Sequence, residues 1–408
     1  MPRLLLTHRP EVPVLLNRAR WAVTLIFFLH GLLFANWAAR LPELEHRYGI
    51  VHRELGQVLF CNAVGAWCAM PLAGWLLPRL GSRRLTTIGA LLFCGFIPGL
   101  ALLHGIGELM VLFLVLGAAT GLLDVAMNSQ AILVENQRRQ PVMSSFHAAF
   151  SLGGMLGAGA GALAAHYSLS FATHLLSFSA VAVALVLVAA AALLPEENLH
   201  PDDAAPDEAR SGFRWPSRTV VALGVVAFCC MLGEGAMADW STIYLVQDTQ
   251  ASPALAPLGY AAFSLSMAAG RLCGDWLGVQ VGQRRLIVCG GLLALAGLLS
   301  LLVLPLTTVG IGGLFLIGLG LSTIIPTVFS ATGQQHNMAP GTALSVVSTI
   351  GYGGFLLGPP VIGWLADVLT LRLALGIVAG LFGVLIAVGL TLPAAKRQTA
   401  KQLAGLDQ

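Results

Sequence analysis

The stretch Gly81-Ser82-Arg83-Arg84-Leu85 has a counterpart in Gly282-Gln283-Arg284-Arg285-Leu286, 201 positions further along the chain. Ala35-Asn36-Trp37 has a counterpart in Ala238-Asp239-Trp240, after 203 positions. Two matches in the same order and at nearly the same spacing indicate a repeated unit. The sequence therefore predicts that about half of the 408 residues has been duplicated.

The composition is that of a membrane protein. Hydrophobic residues make up 57% of the chain and charged residues only 10%, whereas a soluble domain carries about 25% charged residues. The net charge of +3 is too small to indicate nucleic-acid binding. The seven cysteines lie in apolar stretches without metal-site spacing. We expect a lipid bilayer around the chain, and no metal, cofactor or nucleic acid.

Apolar stretches of about twenty residues, the length that crosses a bilayer as a helix, occur twelve times. Six precede and six follow one long polar stretch, Pro195 to Ser217, whose composition cannot form a core. The sequence therefore predicts an all-α membrane protein with twelve transmembrane helices in two pseudo-symmetric six-helix bundles. The predicted domains are 1–194, a cytoplasmic linker at 195–217, and 218–408 with a cytoplasmic tail.

Lysines and arginines are distributed unevenly between the two ends of this bundle. Seventeen of the 22 lie in the N-terminal arm, the linker, the tail and the loops after spans two, four and eight. Arg40, Arg47, Arg53 and Arg372 lie on the other side. Because positive residues concentrate in cytoplasmic segments, we expect both termini in the cytoplasm.

The two six-span halves and the basic loops after spans two and eight resemble the major facilitator superfamily. Its best-known signature is Gly-x-Leu-Ala-Asp-Arg-x-Gly-Arg-Arg, and this chain has Gly74-Trp75-Leu76-Leu77-Pro78-Arg79-Leu80-Gly81-Ser82-Arg83-Arg84. Pro78 replaces the acid of the signature, whereas the second half keeps an acid at Asp275. The resemblance implies that spans one, four, seven and ten line a central cavity.

Three strings resemble the branch of this superfamily that contains fucose permease and uncharacterised bacterial inner-membrane members. They are Asp124-Val125-Ala126-Met127-Asn128, Ser145-Phe146-His147-Ala148-Ala149-Phe150-Ser151, and Gly233-Glu234-Gly235 before Asp239-Trp240. The resemblance implies a bacterial inner-membrane location and favours a sugar-like cargo. Members of this branch carry an acid in span one, whereas this chain has the neutral residue Asn36 there.

Polar and charged residues inside the spans are the candidates for proton or substrate binding, because a charge at the bilayer centre costs about 2.5–3.5 kcal/mol. The candidates are Asp124, Asn128, Glu234, Asp239, Asn36 and His30. Asp124 and Asn128 share one face of span four. Asp124 is predicted to carry a proton or to accept a hydrogen bond from the substrate. The alternative is a structural carboxylate satisfied by Asn128 or Ser129.

A second group of candidates lies near the basic loops and is predicted to form a cytoplasmic gate or latch. Arg271 and Asp275 are four residues apart in span eight, so we expect them to neutralise each other. Glu135 and His147 lie near the loop after span four and are predicted to pair. The basic residues of the repeat either join this latch or only set the topology. They are Arg83, Arg84, Arg284 and Arg285.

Trp37 and Trp240 occupy equivalent positions of the repeat near the outer ends of spans one and seven. Tryptophan is enriched at membrane interfaces, so anchoring is one prediction. The other is that both rings stack on the apolar face of a sugar in the cavity.

These observations predict a secondary active transporter that moves a small organic solute together with protons by alternating access. The resemblance to fucose permease favours a sugar-like solute. No Gly-x-x-x-x-Gly-Lys-Ser/Thr motif occurs in the sequence, so ATP is not the expected energy source. The alternatives are proton-driven efflux of amphipathic compounds and a membrane sensor that binds a ligand without moving it. We expect no enzymatic activity. The expected partners are the solute and protons, and the protein is expected to be a monomer.

Overall fold

The computed structural model describes residues 11–49, 52–195, 215–252, 255–335 and 338–393, and no strand occurs in these ranges. Most of the predicted linker, residues 196–214, lies outside the described residues. The same is true of the first ten residues and of the tail from residue 394.

The described residues of the first half form eight helices. They are α1 (Glu11–Ala38), α2 (Leu41–Tyr48), α3 (His52–Leu80), α4 (Ser82–Phe96), α5 (Gly99–Leu102), α6 (Ile106–Arg138), α7 (Met143–His166) and α8 (Phe171–Ala192). The short helix α2 lies outside the membrane spans, and α4 and α5 together form one span.

In the second half, the part of the chain that the structure describes forms seven helices. They are α9 (Arg218–Asp248), α10 (Pro257–Val281), α11 (Gln283–Val303), α12 (Thr307–Leu321), α13 (Ile324–Thr332), α14 (Pro340–Val368) and α15 (Leu371–Thr391). α12 and α13 together form one span. In the described part of the chain, eleven spans are long and apolar enough to cross a membrane. The twelfth long helix, α10, has 25 residues and carries Arg271 and Asp275, which lower its mean hydropathy.

The two halves repeat the same packing and the same turn. α1 packs along α7 in the first half as α9 packs along α14 in the second, and α3 packs along α6 as α10 packs along α12. Gly81 has φ 82° and ψ 151°, and Gly282 has φ 85° and ψ 151°. Glycine tolerates this positive φ, which side chains disfavour. The repeated Gly-x-Arg-Arg-Leu motif therefore forms the same turn in both halves.

The spans cross back and forth, so the two ends of the bundle differ. One end carries the turns at Gly81 and Gly282 and the loops from α6 to α7 and from α13 to α14. We call this end the basic side, because Arg83, Arg84 and Arg285 lie there. The other end carries α2.

Candidate functional site

Five polar side chains from both halves form a chain of neighbours at mid-depth in the bundle. We call them the central polar cluster. They are Asp124 and Asn128 of α6, Tyr352 of α14, Glu234 of α9 and Arg271 of α10. Two of the three charged members are acids predicted from the sequence.

Asp124 lies near the middle of α6 and is buried. The Asn128 amide donates to the Asp124 backbone carbonyl at 2.8 Å and lies 3.4 Å from Asp124 Oδ1. Tyr352 approaches the same carboxylate from the second half. Asp124 Oδ2 is buried and has no hydrogen-bond partner among the described residues. Because burying an unpaired polar atom is unfavourable, this oxygen is suited to bind a proton or a donor group.

Glu234 and Arg271 form the second-half part of the cluster. Arg271 Nη2 lies 3.8 Å from Glu234 Oε2, which is ion-pair distance but too long for a hydrogen bond. Arg271 Nη1 donates to Ser151 Oγ of α7 at 2.8 Å. The guanidinium therefore contacts both halves. The predicted pairing of Arg271 with Asp275 is wrong, because Arg271 faces Glu234 and Ser151, whereas Asp275 accepts hydrogen bonds at the start of α7.

Asp275 caps the first turn of α7 together with Glu135. Glu135 Oε2 accepts from the backbone N–H groups of Val142 and Met143 at 2.8 and 2.9 Å. Asp275 Oδ1 and Oδ2 accept from the N–H groups of Ser144 and Ser145 at 2.8 and 3.0 Å. These N–H groups have no partner inside the helix and carry its positive dipole end. We call this arrangement the α7 cap; it takes one carboxylate from each half.

The predicted pair of Glu135 and His147 is wrong. Besides the α7 cap, Glu135 accepts a hydrogen bond from Ser330 Oγ of α13. His147 lies between the rings of Phe27 and Phe329, at centroid distances of 5.4 and 5.9 Å. Helix N–H groups close to Glu135 outcompete the imidazole as its partner.

Further hydrogen bonds join the halves between α3 and α14. Ser345 Oγ donates to the Met70 carbonyl at 2.6 Å, and Trp67 Nε1 donates to the Thr349 carbonyl at 2.8 Å. Like the α7 cap, these bonds lie between the basic side and mid-depth. The halves are thus held together on the basic side.

The candidates on α1 lie inside the first half, away from the central polar cluster. The Asn36 amide is buried 3.0 Å from His174 Nε2 of α8. His30 packs edge-on against Phe93 and Phe150. It lines a small apolar cavity within the first half. Neither belongs to the site between the halves.

The two tryptophans also pack within their own halves. Trp37 is only 3% exposed and packs edge-on against Phe113. This burial contradicts both predictions for Trp37, interfacial anchoring and stacking on cargo. Trp240 is half-buried and lies where Gly363 of α14 leaves space. Asp239 is exposed, five residues beyond Glu234 on α9.

The basic residues of the repeat make no hydrogen bond between the halves among the described residues. Arg83 donates to the carbonyls of Ala190 and Ala191 at the end of α8, at 3.1 and 3.4 Å. Arg84 and Arg285 are exposed, and Arg284 is half-buried. These contacts fit the prediction that the four basic residues set the membrane topology better than the prediction that they form a latch.

Tyr352, Ser151 and Ser330 were missed from the sequence. Each is a common residue type in a helix, and its role depends on which residue of the other half it faces. The only available signal was their position in spans adjacent to the predicted cavity.

Comparisons with known proteins agree with this architecture. The sequence profile of the Major Facilitator Superfamily matches residues 23–340 and 223–407. An uncharacterised MFS-type transporter of Yersinia pestis is 34% identical over 355 residues, covering 87% of this chain and 91% of that protein. The membrane protein MosC of Rhizobium meliloti is 32% identical, covering 87% of this chain and 85% of that protein.

Solved structures share the fold at low sequence identity. The transporter FucP in its outward conformation superposes with a TM-score of 0.75 at 17% identity, covering 90% of this chain and 97% of that one. The human organic anion transporter MFSD10 superposes with a TM-score of 0.71 at 18% identity, covering 92% and 99%. The predicted fold of twelve transmembrane helices in two bundles is confirmed. This multi-pass membrane protein belongs to the major facilitator superfamily, whose members are transporters and not enzymes.

Proposed function

We propose that this protein is a secondary active transporter that moves a small polar organic solute together with protons by alternating access. The observation that carries the proposal is the central polar cluster, with acids from both halves at mid-depth. Intramembrane acids are costly to insert and by default mark ion or substrate pathways. In this proposal, Asp124 carries the proton or binds the solute, and Glu234 is the second acid.

We further propose that the basic side faces the cytoplasm of a bacterial cell with the protein in its inner membrane. The concentration of arginines on that side supports this orientation. The α7 cap and the α3–α14 hydrogen bonds then close the cytoplasmic side. The superposition on an outward-conformation transporter supports an outward-facing state. We treat the working unit as a monomer, with the site formed within one chain.

The charges in the cluster favour a neutral hydrogen-bonding cargo, such as a sugar-like solute, over an anion. The cluster holds two carboxylates and one guanidinium, so an anionic solute would meet net repulsion. The fold alone does not decide the cargo, because one solved relative is a fucose:proton symporter and another an organic anion transporter. Proton-driven efflux of an amphipathic compound remains the second candidate, because the exposed aromatic Trp67 lies at the α3–α14 contact.

The proposal is tested with the full-length protein in sealed vesicles. A thermal-shift screen against sugars, acids and amphipathic drugs first identifies a ligand, because ligands stabilise the native state. That compound, labelled, is then followed under an imposed pH gradient with the inside alkaline. Accumulation that collapses with a protonophore supports symport. Saturable binding without flux in either direction would make the protein a sensor and overturn the proposal.

A further inference from the structure

Arg271 contacts charged and polar partners in both halves at once. Its Nη2 faces Glu234 in its own half, and its Nη1 donates to Ser151 on α7 of the first half. Its Nε is buried and has no hydrogen-bond partner among the described residues. The side chains of Arg271 and Glu234 are only 13% and 15% exposed.

We propose that Arg271 links the protonation of Glu234 to the opening of the basic side. The inference rests on the proposed proton coupling and adds the route by which a proton moves the gate. It assigns to Arg271 a positioning role, since the arginine keeps its own charge throughout the cycle.

The link follows from charge balance in a poorly hydrated interface. With Glu234 ionised, Arg271 has a counter-ion and its guanidinium can also donate to Ser151, so the halves stay together. Protonation of Glu234 removes the counter-ion and leaves a buried cation unpaired. Such a charge is strongly unfavourable until it finds water or another anion.

The nearest alternative anion along α10 is Asp275, one helical turn towards the basic side and on the same helix face. Asp275 holds the N–H groups of Ser144 and Ser145. If Arg271 recruits Asp275, α7 loses the half of its cap that comes from the second half. If Arg271 recruits water instead, the interface beside Ser151 has to open. Both routes release the basic side after Glu234 binds a proton.

Other titratable groups surround this pair and define the controls. They are His147 on α7, within electrostatic range of Arg271, Cys230 with its Sγ 3.6 Å from Glu234 Oε1, and Tyr352 of α14 near Glu234. None of these supplies a second anion to Arg271 at neutral pH. The other carboxylate of the cluster, Asp124, contacts Asn128 and Tyr352. Glu234 and Asp275 are therefore the two carboxylates that Arg271 can pair with.

The test measures the distance between the two halves on the basic side. Spin labels are introduced as noncanonical amino acids at the exposed positions Gln140 and Gln280, so that the native cysteines stay in place. Double electron–electron resonance is recorded on the full-length protein in lipid nanodiscs. One alkaline buffer, in which wild-type Glu234 is ionised, is used for all variants.

We expect the wild type to give mainly the short distance and Glu234→Gln mainly the long one. Combining Glu234→Gln with Arg271→Gln removes the stranded cation and should restore the short distance. The matched control Asp248→Asn changes an acid at the far end of the same helix, beside Arg372, and should remain short. A rescue by the second substitution is not expected if Glu234 only supports the fold.

A short distance in Glu234→Gln would overturn the inference. So would a long distance that persists in the double variant, because the stranded arginine would not then be the cause. Proton-driven flux is measured on the wild-type protein reconstituted in sealed vesicles. If the wild type transports but Glu234→Gln does not open, the link through Arg271 is wrong and the proposed function stands. If the wild type shows no flux, the proposed function itself is wrong.

Discussion

The N-termini of α7 and α14 are equivalent in the repeat but are held in different ways. The first turn of α7 receives two carboxylates, Glu135 from its own half and Asp275 from the other. α14 begins at Pro340 after Ala339, which makes no side-chain capping hydrogen bond. On α3, the residue equivalent to Asp275 is Gly74, which faces Ser345 near the start of α14. Closure of the basic side is therefore ionic at one contact and steric at the other.

This difference suggests that the two contacts respond to different signals. A carboxylate at a helix N-terminus is sensitive to charge and to hydration. Close packing of a glycine against a serine depends on shape and has no charge to titrate. We infer that the α7–α10 contact is the one that protons can release, while the α3–α14 contact guides the movement.

The largest effect is expected from Asp275→Ala. Hydrogen bonds to a charged group contribute about 1.5–3 kcal/mol, so the closed state should lose about 3 kcal/mol and its population about a hundredfold. The distance between labels at positions 140 and 280 measures this opening. Asp275→Asn keeps one acceptor and should open less. Equal closure in wild type and Asp275→Ala would show that the ionic contact does not hold the gate.

A smaller effect is expected from Gly74→Ala. A methyl group at this position would overlap the Ser345 side chain, and overpacking of this kind costs about 1–3 kcal/mol. Because the overlap exists only when the halves are closed, the variant should shift towards opening without losing thermal stability. The control is Gly56→Ala on the same helix, where the added methyl meets open space. If the two variants opened to the same extent, packing at Gly74 would not matter.

The smallest effect is expected from Ser345→Ala, which removes the hydrogen bond to the Met70 carbonyl. A neutral hydrogen bond contributes about 1 kcal/mol, and the substitution also relieves crowding at Gly74. Labels on α3 and α14 should report a shift of several-fold at most. Ser348→Ala on the same helix removes a buried hydroxyl without a described partner and should leave the distance unchanged. A shift as large as that of Asp275→Ala would contradict the division into ionic and steric contacts.

The fold could be predicted because its determinants are local. Apolar runs long enough to cross a bilayer mark each helix, and the repeated glycine at positions 81 and 282 marks the same turn in both halves. α10 falls below the other long helices in mean hydropathy, because two of its residues are charged and serve contacts with α7 and α9. The presence of Asp124 and Glu234 between the halves was also predictable, because few other positions can accommodate a charge in a membrane.

The partners of these residues could not be predicted from the sequence. Helix periodicity places Arg271 and Asp275 on one face, but Arg271 faces α9 and a side chain further along α7, whereas Asp275 binds the first turn of α7. Asn36 and Trp37 lie in a span that the family uses to line the cavity, yet they point into the first half, where His174 and Phe113 receive them. Helix rotation is set by packing between distant segments, and the sequence pattern does not reveal it.

The most direct test of the proton-coupled site is flux through Asp124→Asn in sealed vesicles. Asparagine keeps the size of the side chain and its contacts with Asn128 and Tyr352 but cannot carry a proton. We predict that wild-type protein accumulates its solute under an imposed pH gradient, and that Asp124→Asn, equally folded and equally abundant, does not. If Asp124→Asn accumulates the solute to the same level as the wild type, Asp124 does not carry the proton and the account is contradicted.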